Sequence, residues 1–262
     1  MKLDMLNKLR QQNPVVLNAA NFVTVQDVAN GLNAIGASPI MSQEIAEAEE
    51  MVKMASSVTL NLGTLTQLQI AQMKKIGALA TQDKKPIVFD PVAVGAVNYR
   101  LQTAQALLHR FPVSIIRGNA GEIAALGGFE WNARGIDAGS GSGNLDQITQ
   151  KTAQKLDCVV IASGATDTIS NGKKIAHVYN GTPLFQAHVG SGDVLSSIVA
   201  AFAAVGTDPF EAAQTATLVF AATGELLAKG QPEIGPGTFG MHLIDYLAKV
   251  QVADIEKIAK FD

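Results

Sequence analysis

Short apolar runs of strand type alternate with longer runs of helical spacing along almost the whole chain. "PVVLNAAN" (14–21) opens with a brief apolar run. "TVQDVANGLNAIG" (24–36) then sets Val25, Val28, Ala29, Leu32 and Ile35 on one helical face. The couple recurs. "SPIM" (38–41) predicts a strand and "EIAEAEEMVKMAS" (44–56) a helix with acidic first turns, where the helix dipole favours negative charge. "SVTLNLG" (57–63) is followed by a helix over 64–82, and "PIVFDP" (86–91), a buried strand stopped by proline, by a helix over 99–111. "VSIIRGN" (113–119) leads to a short helix over 120–128. The polar, glycine-rich passage 132–143 reads as a surface loop. A helix over 145–156 and the strand "CVVIAS" (158–163) follow, and Asn171-Gly172 between two alternating runs predicts a tight hairpin. The remainder reads as three helices, 192–205, 209–229 and 236–259.

Strand–helix repetition of this kind implies an α/β fold, a mostly parallel sheet with helices on both faces. Such sheets bind ligands at the carboxyl ends of their strands. No repeat or long linker divides the chain, so one domain over 1–262 is expected. With 47% hydrophobic residues the chain can bury a large core, and a net charge of −3 without a basic block argues against nucleic acid or an anionic membrane as partner. Cys158 is the sole cysteine, which rules out an internal disulfide and suits a reducing cytoplasm. In its apolar strand it reads as a core residue rather than a nucleophile. "MKLDMLNKLRQQNP" has no continuous apolar core and is not a secretory signal. "SSIVAAFAAVG" falls short of the about 20 residues of a membrane span.

Four polar signals follow strands. Asp90 in "FDPVAVGA" is either a turn acid or a carboxylate held at the ligand edge of the sheet. Arg117 in "IIRGNAGE" can clamp a phosphate with its fork of donors, while Glu122, three residues into the next element, can form a capping box with Asn119. Ser163-Gly164 in "VVIASGATD" allows a ligand to approach the backbone. The fourth is "AHVGSGDVL" (187–195), where Gly190-Ser191-Gly192 runs into Asp193 at the start of a helix. Free amides at a helix start attract anions. A carboxylate there opposes that attraction, unless it faces a hydroxyl that loses its proton as it attacks phosphorus. The alternative is a plain first-turn acid. Taken together, the four signals suggest phosphoryl transfer.

Beyond these signals the chain resembles the ribokinase-like superfamily and, within it, the hydroxyethylthiazole kinase family. "NFVTVQDVANGLNAIGASPIM" (21–41), "LNLGTL" (60–65), "DPVAVGA" (90–96), "RGNAGEIAAL" (117–126), "SGATD" (163–167), "VGSGD" (189–193) and "GPGTF" (235–239) fall in the family's order and cover nearly the whole chain. The resemblance implies a kinase that phosphorylates 4-methyl-5-(2-hydroxyethyl)thiazole with ATP. It implies that Met41, Asn21 and Gly190 lie at the alcohol and that Arg117, Ser163 and Gly192 lie at ATP. It further implies that Asp90 and Glu122 support Mg2+, often through water, that Asp193 is the base, and that the chain is a homotrimer with sites at subunit boundaries. Two positions depart from the family's common pattern: Ala19-Ala20 replaces an isoleucine-threonine pair, and Asp193 stands where relatives often carry cysteine. Two rival readings use the same scaffold. A dehydratase of hydrated nicotinamide nucleotides also ends its glycine-rich turn in aspartate, but does not share the N-terminal segment. A nonenzymatic thiazole or thiamine sensor is expected to lose the acids that this chain keeps.

Overall fold

The computed structural model describes residues 2–19, 21–131 and 145–262. The passage expected to be a surface loop lies outside them. After α1 (Met5–Gln12) the chain alternates as expected: β1 (Val15–Ala19), α2 (Val25–Ile35), β2 (Ser38–Met41), a 3-10 turn, α3 (Ala48–Met54), β3 (Ser57–Asn61), α4 (Gln67–Gln82), β4 (Ile87–Asp90), α5 (Asn98–Arg110), β5 (Ile115–Asn119) and α6 (Ala120–Gly127). Next come α7 (Leu145–Leu156), β6 (Val159–Ser163), the hairpin β7 (Asp167–Ser170) and β8 (Ile175–Val178), then α8 (Leu184–Ala187), α9 (Ser191–Val205), α10 (Pro209–Gly230), α11 (Pro236–Lys249) and α12 (Val252–Ile258).

The eight strands form one sheet in the order β2-β1-β3-β4-β5-β6-β7-β8. Pairing is parallel from β2 to β6 and antiparallel at β6–β7 and β7–β8. The antiparallel edge follows from the short connections there, since parallel neighbours need a long crossover. Gly172 turns the hairpin at φ +83°, a conformation that favours glycine.

Successive strand residues divide between two cores. Val88, Ile115 and Ile161 pack with the layer made by α1, α2 and α9 to α11. Ile87, Phe89, Ile116 and Val160 pack with the layer made by α3 to α7. A sheet buried on both faces needs apolar residues at every position, which is why these strands read as continuous runs. Buried polar residues interrupt the pattern at Ser57 and Thr59 within β3 and where β1, β3 and β4 end. Asn18, Asn61 and Asp90 are all buried, and each turns toward α9.

The N-terminal segment, for which no element was expected, forms α1, whose buried Met5, Leu6 and Leu9 face α9. One local expectation needs correction. The expected helix over 236–259 is two helices. Val250 leaves helical geometry at φ −56° and ψ 134°, and its side chain stays in the core. Gln251 then starts α12 in a capping box with Asp254, a competing local hydrogen-bond pattern of the kind that ends helices.

Candidate active site

The site forms where α9 begins, over the carboxyl ends of β1, β3, β4 and β5. Gly190 precedes the helix at φ +99°, and a Cβ there would meet Thr24 Cγ2 at 2.7 Å. Both facts require glycine. The first-turn amides of α9 have no intrahelical acceptor; Ser191 N donates to His188 O at 3.4 Å, and the turn that follows offers the amides of Gly192 and Asp193 to an anion. Buried hydroxyls anchor the helix to the strand ends behind this turn. Ser196 donates to Asp90 Oδ2 at 2.8 Å and Ser197 to Asn18 Oδ1 at 2.9 Å.

Asp193 lies in the first turn, and donors from outside the helix take up its carboxylate. Asn21 Nδ2 donates to Oδ2 at 2.8 Å, Thr24 Oγ1 donates to Oδ2 at 2.6 Å, and Asn61 Nδ2 donates to Oδ1 at 2.9 Å. Asn21 and Thr24 belong to the turn between β1 and α2, and Asn61 ends β3. Gly63 fits there because a Cβ would come within 2.7 Å of the Asn21 side chain.

On the other flank stands Arg117. Its Nε donates to Ser163 Oγ at 2.9 Å, and Nη1 lies 3.9 Å from Asp90 Oδ2. A Cβ at Gly192 would overlap the guanidinium, so glycine lets the arginine rest on the helix start. Burial pushes the Asp90 carboxyl up to about 7; Arg117 opposes the rise, the nearby Asp193 and Glu122 charges add to it, and the Ser196 hydrogen bond opposes it. Asp167, at the start of β7, accepts from Gly164 N at 3.1 Å. Burial lifts it to about 6 against the pull of that bond and of Arg117.

Glu122 forms the capping box that its spacing allowed. Its Oε2 accepts from Asn119 N at 2.8 Å while Asn119 Oδ1 accepts from Glu122 N at 2.9 Å. Its Oε1 also accepts from Ala93 N at 2.8 Å, tying the loop after β4 to α6. No three His, Cys, Asp or Glu side chains gather as a metal site among the described residues. Burial pushes the Cys158 thiol up to about 12, which suits the packing role expected for it.

Met41, at the end of β2, lines a cavity of about 220 Å³ with Asn18, Asn21, Phe22, Val25 and Ser42. This cavity opens beside Asn21, on the Asp193 flank of the helix. A larger groove of about 640 Å³ runs past Lys2, Lys8, Val205 and Glu211. It lies at the other end of α9, about 20 Å away at 1.5 Å per residue, and shares no residue with the strand-end site.

The fold brings together all nine residues singled out from the sequence. Asn21, Met41, Gly190 and Asp193 fall on one flank of the helix start. Arg117, Ser163, Gly192, Asp90 and Glu122 fall on the other. Sequence reasoning missed Thr24, Asn61, Asp167 and Ser196. Asn61 carried a signal: a polar residue closing a buried run, the pattern that pointed to Asp90.

The architecture is that of ribokinase-like proteins. A ribokinase-like superfamily protein from Enterococcus faecalis V583 superimposes with a TM-score of 0.67 at 16% identity, covering 95% of each chain. Closer likeness narrows the class. The model of the hydroxyethylthiazole kinase family matches residues 6–253. The hydroxyethylthiazole kinase of Levilactobacillus brevis is 61% identical over 262 residues, covering 100% of both chains. The structure of the hydroxyethylthiazole kinase protein from Pyrococcus horikoshii OT3 has a TM-score of 0.90 at 33% identity, covering 100% of this chain and 99% of that one. The chain belongs to the hydroxyethylthiazole kinase family.

Proposed function

We propose that the protein transfers the γ-phosphoryl group of ATP to the primary hydroxyl of 4-methyl-5-(2-hydroxyethyl)thiazole, in thiamine biosynthesis or salvage. The observation that carries this reading is the division of the α9 start. On one side a carboxylate is held by Asn21, which lines the small cavity, and on the other an arginine rests against Gly192 in the first turn. Phosphoryl transfer passes through a loose transition state, so catalysis is mostly positioning and charge stabilisation. The alcohol occupies the cavity lined by Met41 and Asn21, with Gly190 beside it. The amides of 190–193 hold the transferring group, Gly192 leaves room for it, and Arg117, braced by Ser163, adds positive charge. Asp193 orients the hydroxyl and takes its proton late.

The residues present fit Mg2+ carried in with the nucleotide. Mg2+ keeps several waters and needs only one or two carboxylates plus phosphate oxygens. Asp90 is a buried carboxyl whose anionic form is only partly compensated by Ser196 and Arg117. Glu122 has both oxygens engaged by amides, so its part runs through water. When bound, the ion neutralises phosphate charge. A turnover screen with ATP and magnesium tests the assignment: the thiazole alcohol is phosphorylated in preference to hydroxymethylpyrimidine, ribose and pyridoxal, and faster turnover of any of those three overturns it.

The proposal extends to a cytoplasmic homotrimer with sites at subunit boundaries. Phe22 is 68% exposed and Val23 58% exposed beside the cavity, and Leu68, at the start of α4, is 73% exposed. Apolar side chains at a cavity rim are what a neighbouring subunit would cover. Light scattering at micromolar concentration gives the mass of three chains on this account; a monomer mass contradicts it. No helix among the described residues is long and apolar enough to cross a membrane.

A further inference from the structure

The donor set around Asp193 carries more than the assignment of a base. Thr24 is the N-cap residue of α2, yet its side chain makes no capping bond. A threonine there ordinarily accepts from a first-turn amide. Asn21 Oδ1 takes up the turn instead, accepting from Val23 N at 3.0 Å and Thr24 N at 3.2 Å. Those two bonds fill the acceptor capacity of an amide oxygen. The single Thr24 proton therefore goes to Asp193 Oδ2, at 2.6 Å, rather than to Asn21 Oδ1, at 3.2 Å. Asn61 is oriented in the same manner. Its Oδ1 accepts from Gly63 N at 2.7 Å and from Asn21 Nδ2 at 3.3 Å. Its Nδ2 is thereby turned to Asp193. The backbone thus fixes which way both amides point.

Each carboxylate oxygen accepts about two hydrogen bonds. Oδ2 receives Asn21 and Thr24, whereas Oδ1 receives Asn61 alone among the described residues. We infer that Thr24, Asn61 and Asn21 are positioning residues: Asn21 and Thr24 fill Oδ2 of Asp193, and Asn61 leaves one acceptor direction on Oδ1, making Oδ1 the atom that takes the proton of the alcohol. This rests on the reading of Asp193 as base. The alcohol O–H bond breaks and its proton passes to Oδ1. The oxygen electron pair forms the new O–P bond, and the bond between the γ-phosphorus and the bridging oxygen breaks, releasing ADP.

The test compares Asp193→Asn, Thr24→Val, Thr24→Ser, Asn61→Asp and the double variant Thr24→Val/Asp193→Asn. Steady-state kinetics use the thiazole alcohol with ATP and magnesium. Asn61→Asp keeps the acceptor for Gly63 N but replaces the donor facing Asp193 with an oxygen. Misplacing a reacting group by about 1 Å can cost about 10²-fold. The expected result is a fall in kcat of about 10-fold or more in Thr24→Val and about 10²-fold in Asn61→Asp. KM for ATP stays near the native value, and Thr24→Ser recovers most of the loss. In the double variant, Thr24→Val adds no further loss to Asp193→Asn, as for residues acting through one group. A merely structural role would lower the melting temperature and would add its loss in the double variant. Should Thr24→Val fail to fold, Asn61→Asp decides. A kcat within about twofold of native in the folded single variants, while Asp193→Asn is inactive, overturns the inference and leaves the base standing. A nearly native Asp193→Asn overturns both.

Discussion

Asp193 and Asp90 lie on opposite flanks of the same helix start, and the protein treats their charges differently. Asp193 meets three neutral donors from the turn after β1 and the end of β3. Asp90 has one hydroxyl and an arginine at 3.9 Å, and burial raises it to about 7. A carboxylate held by fixed dipoles is oriented without a counter-charge that would compete for a substrate proton. A buried carboxylate short of donors instead favours an incoming cation, because the ion supplies what the fold withholds. The contrast suits a site where one flank handles a neutral alcohol and the other an anionic nucleotide with its metal. It also shows why the two acids should not respond alike to substitution.

The largest expected effect is at Asp193. Asparagine keeps shape and polarity and caps helices as well as aspartate does. Loss of a positioned base costs about 10²–10⁴-fold in rate, so Asp193→Asn is expected to fall in that range with native melting. Turnover within about threefold of native, against that 10²-fold minimum, refutes the catalytic role. Arg117→Ala comes next. Removing a charged hydrogen-bonding partner costs about 1.5–3 kcal/mol, which corresponds to ATP bound about 10- to 100-fold more weakly. An unchanged nucleotide affinity breaks the assignment of that flank.

The smallest effect sharpens the Asp90 half of the comparison. A carboxyl raised in the folded state from 3.8 to about 7 contributes stability to the magnesium-free protein that is fully present below the ordinary carboxylate range. That stability is lost as pH rises through about 7. Asp167, raised to about 6, adds to the same descent over its lower part. Asp90→Asn is expected to flatten the fall of melting temperature between about pH 4 and 7 by roughly 2–4 °C, the equivalent of about 1 kcal/mol. It also raises the magnesium required for half-maximal turnover. A pH slope identical to native argues against a partly compensated buried carboxyl.

The strand–helix rhythm was legible because the central strands β1, β3, β4, β5 and β6 are largely buried and carry short apolar runs. The break before α12 was hidden because Val250 continues the apolar pattern while its backbone leaves the helix. In the site, Asp90, Arg117 and Asp193 were legible as charges where apolar runs end. Thr24 was hidden by its own ordinary place. A threonine before a helix looks like a cap, and only the fold shows its hydroxyl turned to a residue 169 positions away. For Glu122 the capping box is present, and the metal role proposed for it has to coexist with that box.

The division of the α9 start is tested most directly by measuring ATP affinity by calorimetry in Asp193→Asn and Arg117→Ala beside the native protein, with magnesium present. The account predicts that Asp193→Asn binds ATP with near-native affinity while turning over about 10²-fold or more slowly, and that Arg117→Ala binds it about 10- to 100-fold more weakly. Asp193→Asn weakening ATP as much as Arg117→Ala does would contradict it.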